Sequence, residues 1–170
     1  PRPSAALRWY TWLAILTIMR KSGPQGWQII EMSGGDNMPE MTLADAEKAL
    51  AAAKAKAMEM GVKLSISVVD ARGDLKCMVR MDGAPWRTPY VSRGKARASA
   101  CWGLPSDDLT DRAMQPVFRA VMEVERGEFI PGQGALPIVR NGELIGAIGG
   151  SGGTSQEDED AARAGVEAIT

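Results

Sequence analysis

Apolar and polar positions follow two different periods along this chain. From Thr42 the period is helical: Leu43, Ala46, Leu50, Ala53, Ala57 and Met60 fall three or four residues apart, with Lys48, Lys54, Lys56 and Glu59 off that stripe. Thr42 to Asp45 reads as a capping-box-like start, and Gly61 as the residue just past the helix C-terminus. The period then drops to two. Leu64, Ile66 and Val68 alternate with Ser65 and Ser67, and Leu75, Cys77, Val79 and Met81 alternate with Lys76 and Arg80. Asp70 to Asp74 joins these runs, with Gly73 supplying the turn, so a hairpin is predicted.

A helix rich in small residues is predicted from about Thr88 or Ser92 to Trp102, ended by Gly103-Leu104-Pro105. Ser106 reads as the cap of a further helix to about Glu125, which Pro116 should kink or split. The runs Ala135–Val139 and Leu144–Ile148 flank Asn141-Gly142. That dipeptide is a strong hairpin signal, because both central residues of a type I′ turn need positive φ. A last helix is predicted from Ser155, with Ser155 to Asp158 resembling a capping box and Ala162, Val166 and Ile169 on its apolar side. The order α-β-β-α-α-β-β-α, with no doubly wound crossover, predicts an α+β fold with helices on an antiparallel sheet.

Residues 1–37 do not join this pattern. They hold Trp9, Trp12 and Trp27, and an apolar run, Leu13–Met19, that is far too short for the roughly 20 residues of a membrane span. Arg20-Lys21-Ser22-Gly23-Pro24 is not a secretory cleavage site. The expectation is an extension outside the domain, disordered or upstream sequence, with the domain at 38–170; the rival reading is an interfacial amphipathic anchor. No membrane span is expected, and a cytoplasmic, bacterial-type setting follows.

Composition excludes more than it assigns. The 170 residues suit one domain, and a formal net charge of −1 without a basic block leaves no footprint for nucleic acid. There is no histidine. That removes Ser/His and Cys/His dyads, HExxH zinc sites and histidine-ligated haem, and leaves acid–base chemistry to carboxylates, Lys, Tyr or Cys. Cys77 and Cys101 have no metal-ligand spacing, so no metal site is expected; they read as small buried hydrophobes, with a disulfide between them left open.

The residues with candidate chemistry lie at the ends of these elements. Gly146, Gly149, Gly150, Gly152 and Gly153 crowd one strand and the corner after it. Such glycines permit either a sharp turn with tight packing or the approach of an anion to a helix N-terminus. Arg80, Met81, Asp82 and Arg87 place a carboxylate and two guanidiniums at one strand end, which reads either as solvated charge or as recognition of ligand carboxylates. Lys95, among small residues, is either a solvent-facing snorkeller or a buried functional amine. Phe129, Pro131, Gly132 and Gly134 belong to a loop that either lines a pocket or simply turns. Asp82, Lys95 and Cys101 are the catalytic candidates. A ligand site is expected where the Met81–Ala84 strand end, the Lys95 helix, the Phe129–Gly134 loop and the corner carrying Gly150, Ser151 and Gly152 converge.

The segments TLADAEKAL from Thr42, ISVVDARGDL from Ile66, RMDGA from Arg80, SRGKARASA from Ser92 and GALPIVRNGELIGAIGGSGGTSQEDEDAARAG from Gly134 carry a resemblance. Over residues 41–169 the chain resembles the GlcG/HbpS family of haem-binding, haem-degrading-like domains, to which the C-terminal domain of PduO also belongs. The resemblance implies a profilin-like α-β-α sandwich with about five antiparallel strands, homo-oligomers of dimer size or larger, and haem as the possible cofactor. Some family members ligate haem iron through histidine, and this chain departs from that pattern. Met, Tyr, Cys or Lys would have to substitute, or the pocket would hold another ligand. Two functions follow: a haem- or tetrapyrrole-binding protein in an accessory or sensing role, and a small metabolic enzyme or accessory factor acting on an organic acid in a catabolic pathway.

Overall fold

The computed structural model describes residues 18–21, 27–30 and 40–170, and the chain divides into two units, 1–38 and 39–170. In the first unit, β1 (Ile18–Lys21) and β2 (Trp27–Ile30) pair antiparallel. The rest of the extension expected at 1–37, including the anchor reading, lies outside the described residues.

The second unit follows the predicted order. It contains α1 (Leu43–Glu59), β3 (Ser65–Asp70), β4 (Leu75–Arg80), α2 (Thr88–Trp102), α3 (Pro116–Val124), β5 (Ala135–Arg140), β6 (Glu143–Ser151) and α4 (Ser155–Glu167). The strands form an antiparallel sheet in the order β4-β3-β6-β5. The family resemblance implied about five strands; among the described residues of this unit there are four.

Local signals explain most element ends. Thr42 caps α1, its side chain accepting from the Asp45 backbone N–H. Gly61 follows α1 at φ 73° and Gly73 turns the first hairpin at φ 84°. Asn141 and Gly142 both have positive φ, as the hairpin between β5 and β6 requires. Two boundaries differ from expectation. The cap of α4 is Thr154, one residue earlier than Ser155, and it forms a reciprocal capping box with Glu157. The expected helix from Ser106 breaks into 3-10 turns at Ser106–Leu109 and Asp111–Met114 before α3. Pro116 restricts Gln115 to extended backbone and starts α3 as its first residue.

Helices cover both faces of the sheet. On one side α1 and α4 pack Ala46, Ala49, Ala53, Ala57, Ala161 and Ala162 onto Ile66, Val68, Leu136, Ile138 and Ile148. On the other side α2 lays Ala96 and Ala100 on Val69 and Ala147. The alternation in β3 is therefore not core against solvent. Ser65 and Ser67 are fully buried beneath α2, where their hydroxyls meet Thr88 Oγ1 at 2.7 Å and Ser92 Oγ at 2.8 Å. Each buried hydroxyl thus has a partner, which is what makes a polar stripe tolerable inside the fold.

The glycines of β6 serve this close packing. A Cβ on Gly149 would meet the Ser92 carbonyl oxygen at 2.5 Å, and one on Gly150 would meet the Asp158 carbonyl oxygen at 2.6 Å. At these two positions the sheet is pressed against α2 on one face and α4 on the other, with no room for a side chain.

Candidate functional site

The sequence-predicted residues separate into two places. The first is a buried ion pair. Lys95 of α2 and Asp158 of α4 are 8% and 3% exposed, and Lys95 Nζ donates to Asp158 Oδ2 at 2.9 Å. The amine also lies 3.5 Å from the Gly150 carbonyl oxygen. A Cβ on Gly134 would meet both Lys95 Nζ and the Asp158 side chain at 2.8 Å. The loop, the corner and the Lys95 helix do converge, but around a carboxylate from this same chain. Asp158 Oδ1 accepts from the Gly153 N–H at 3.1 Å, and Glu157 Oε2 accepts from the Thr154 N–H at 2.7 Å. The corner's amides thus serve the chain's own carboxylates. Those hydrogen bonds from Thr154, its backbone N–H first, hold the Glu157 carboxyl below its ordinary pKa.

Phe129 belongs to neither place. It is buried in an aromatic cluster with Trp102 and Phe118, ring centroids 5.2 and 6.3 Å away. Its role as a pocket wall is replaced by packing beneath α3, because the loop that follows is tied to α2 by the Ile130 N–H on the Gly94 carbonyl oxygen. Pro131 is half-buried, and the Gly132 N–H donates to the Ser106 carbonyl oxygen. Ser151 is buried opposite Ser65 in the β3–β6 register.

The catalytic candidates do not share one environment. Cys101 is exposed, six residues beyond Lys95, which on a helix is about 9 Å of rise and roughly 240° of rotation. Although the residue is exposed, partial desolvation of its thiol is the largest cause of its raised pKa, which disfavours the thiolate. Cys77 is raised for the same first reason, and both cysteines are free thiols. Asp82 is exposed at the far end of β4. The small-residue face of α2 lies against the chain's own sheet and Ile130.

The second place is an open trough between the C-terminal half of α1 and the end of β4. A depression of about 320 Å³ is lined by Lys54, Met58, Lys63, Val79, Arg80, Met81 and Asp82. A smaller one of about 260 Å³ shares Arg80, Met81 and Asp82 and adds Gly83. The backbone here is well held. The Met81 N–H donates to the Leu64 carbonyl oxygen at 3.0 Å, and the Ala84 N–H to the Met81 carbonyl oxygen at 3.0 Å. Arg80 Nε donates to the Ala84 carbonyl oxygen at 2.9 Å, fixing the guanidinium at the rim. Gly152, from the glycine-rich corner, approaches the Lys63–Leu64 backbone from its other side. Arg87, also exposed, is the residue before α2.

Sequence reasoning found Arg80, Met81 and Asp82 and missed Lys54, Met58, Lys63 and Val79. One signal was present: Met58 lies off the apolar stripe of α1, four residues after Lys54, and it is 62% exposed. A further charged depression of about 370 Å³ lies against α1 and α4, lined by Lys56, Asp160, Arg163, Ala164 and Glu167. Among the described residues there is no group of three or more Cys, Asp or Glu placed to hold a metal ion. No helix among them is long and apolar enough to cross a membrane.

Comparison with known proteins places this geometry in a family. A 15.0 kDa protein from the dhaT-dhaS intergenic region of Citrobacter freundii is 35% identical over 129 residues, covering 75% of this chain and 90% of that protein. The corrinoid adenosyltransferase PduO of the same organism is 30% identical over 120 residues, which cover 69% of this chain but 36% of PduO. Among solved structures, that of the PduOC:haem complex superposes with a TM-score of 0.70 at 26% identity, covering 78% of this chain and 96% of that one. The family described as haem degrading protein HbpS-like matches residues 41–167, and the chain belongs to that HbpS-like family.

Proposed function

We propose that this protein binds haem or a closely related tetrapyrrole, in an accessory or sensing role, and that the trough between α1 and β4 is where it binds. One observation carries this reading: an apolar floor of Met58, Val79 and Met81 edged by the cations Lys54, Lys63 and Arg80. A haem has a flat apolar face and two carboxylates, and the donor set of the trough fits both parts. Thioether and aliphatic side chains cover ring surface, while ammonium and guanidinium groups meet carboxylates with charge-assisted hydrogen bonds. Bound haem would supply a redox-active iron. The chain's own residues hold and orient the ring, with Asp82 repelling carboxylates from its own end of the rim.

Family membership and the PduOC:haem complex support the same ligand class. The organic-acid reading is less well supported, since Lys95 is already paired with Asp158 and partial desolvation raises the Cys101 thiol pKa. Self-association accompanies the proposal, supported by Trp86 and Tyr90, each 72% exposed beside the start of α2.

The test is a haemin titration of the full chain followed by absorbance. A saturable change is expected. No saturable change, together with a small organic acid that raises the melting temperature, would replace this reading with the metabolic one.

A further inference from the structure

We propose that the trough reads the carboxylates of its tetrapyrrole and not its metal, so that metal-free porphyrin dicarboxylates are ligands in their own right; the proposal rests on the tetrapyrrole reading above. Charge carries it. Lys54, Lys63 and Arg80 line the trough with a single carboxylate, Asp82, which leaves an excess of two positive charges. Among the described residues these three cations belong to no ion pair. The depression against α1 and α4 differs: Lys56 there pairs with Glu59 at 2.9 Å, and Arg163 with Glu159 at 2.6 Å. Its cations answer the chain's own carboxylates, whereas those of the trough are left for a ligand. The bond from Arg80 Nε to the Ala84 carbonyl oxygen holds the guanidinium and leaves its two terminal nitrogens to meet a carboxylate as a fork.

The same inventory is poor in groups that bind iron. The chain has no histidine. A protonated lysine and an arginine have donors only and no lone pair to give a metal. Neither cysteine lines the trough: Cys77 packs against the core cluster shared with α1, and Cys101 lies on α2. Met81 packs against that same core cluster. Asp82 and Met58 remain, and both are exposed, so ligation by either would have to fix a side chain that folding leaves free. A ring carboxylate, by contrast, meets partners that already carry the opposite charge. The ligand class is a flat apolar ring with two carboxylates, with or without iron.

The experiment titrates the full chain with three compounds that share one ring: deuterohaemin, metal-free deuteroporphyrin, and the neutral diamide of deuteroporphyrin. Absorbance follows the first and porphyrin fluorescence the other two. Deuterohaemin and deuteroporphyrin should bind within about threefold of each other, and the diamide about tenfold more weakly, since its amides cannot make charge-assisted bonds. Lys63→Ala/Arg80→Ala should weaken deuteroporphyrin by about tenfold and leave the diamide within about twofold of its wild-type affinity, which also shows that the double variant is folded. Deuterohaemin tighter than deuteroporphyrin by tenfold or more would show that the metal is read. A diamide that binds as well as the dicarboxylate would show that the carboxylates are not. Either result overturns the proposal and leaves the tetrapyrrole reading standing. Failure of wild type to bind any of the three overturns both.

Discussion

Lys95 and Asp158, from helices on opposite faces of the sheet, meet at 2.9 Å past the start of β5. The contact ties α2, α4, the loop at Gly134 and the end of β6 into one joint, and Gly134 and Gly150 leave the space for it. A buried pair of this kind is costly to break by halves, because the remaining charge stays desolvated. Lys95→Met should destabilise the fold by about 3–5 kcal/mol, and the double variant Lys95→Met/Asp158→Asn by less than that. Urea unfolding measures both. A single variant with the wild-type midpoint would show that the joint holds nothing together.

Gly150 should not tolerate a methyl group. Its added Cβ would lie 2.6 Å from the Asp158 carbonyl oxygen, a backbone atom that moves only if α4 moves. Gly150→Ala should cost about 1–3 kcal/mol through overpacking. Thermal unfolding of this variant checks the packing of α4 on the sheet, and an unchanged melting temperature would contradict it.

The acid limb of stability should depend on Asp45. Hydrogen bonding from Arg140 is the first cause that lowers its pKa, and Arg140 also donates to the Ile169 carbonyl oxygen at 3.2 Å. A carboxyl whose folded pKa is lowered binds its proton more weakly than in the unfolded chain. Its contribution is therefore present above the unfolded value and is lost as pH falls through the folded one, below about pH 4. Glu157 acts in the same direction. Melting temperature followed from pH 6 to pH 3 should fall less steeply for Asp45→Asn than for wild type. Identical slopes would remove Asp45 from the account.

The fold was legible wherever the signal was local. Thr42, Gly73 and Asn141-Gly142 each act within a few residues, and each stands where its chemistry requires. What the sequence concealed depends on partners far along the chain. Ser65 and Ser67 look like a solvent face until Thr88 and Ser92, 23 and 25 residues on, cover them. The glycines of β6 announced a close approach but not its identity, because Asp158 reaches them only once α4 has packed. In the trough, Arg80, Met81 and Asp82 were legible as a charged strand end. Lys54 and Met58 were not, since their facing toward β4 is set by how α1 lies on the sheet.

Trp86 and Tyr90 should anchor self-association. Large aromatic side chains this exposed, four residues apart beside one helix start, carry much of the energy of an interface when covered. Light scattering at micromolar concentration should give a mass above that of one chain, reduced for Trp86→Ala/Tyr90→Ala. A monomeric wild type would contradict this.

The most direct test of the trough is the haemin affinity of the full chain after removal of two of its rim cations. Lys63→Ala/Arg80→Ala should weaken binding about tenfold, which corresponds to about 1.4 kcal/mol shared by two exposed contacts. Arg163→Ala, which removes a cation from the other charged depression, should bind as wild type does. Equal affinity in the double variant and wild type, or equal weakening by Arg163→Ala, would contradict the placement of the ligand between α1 and β4.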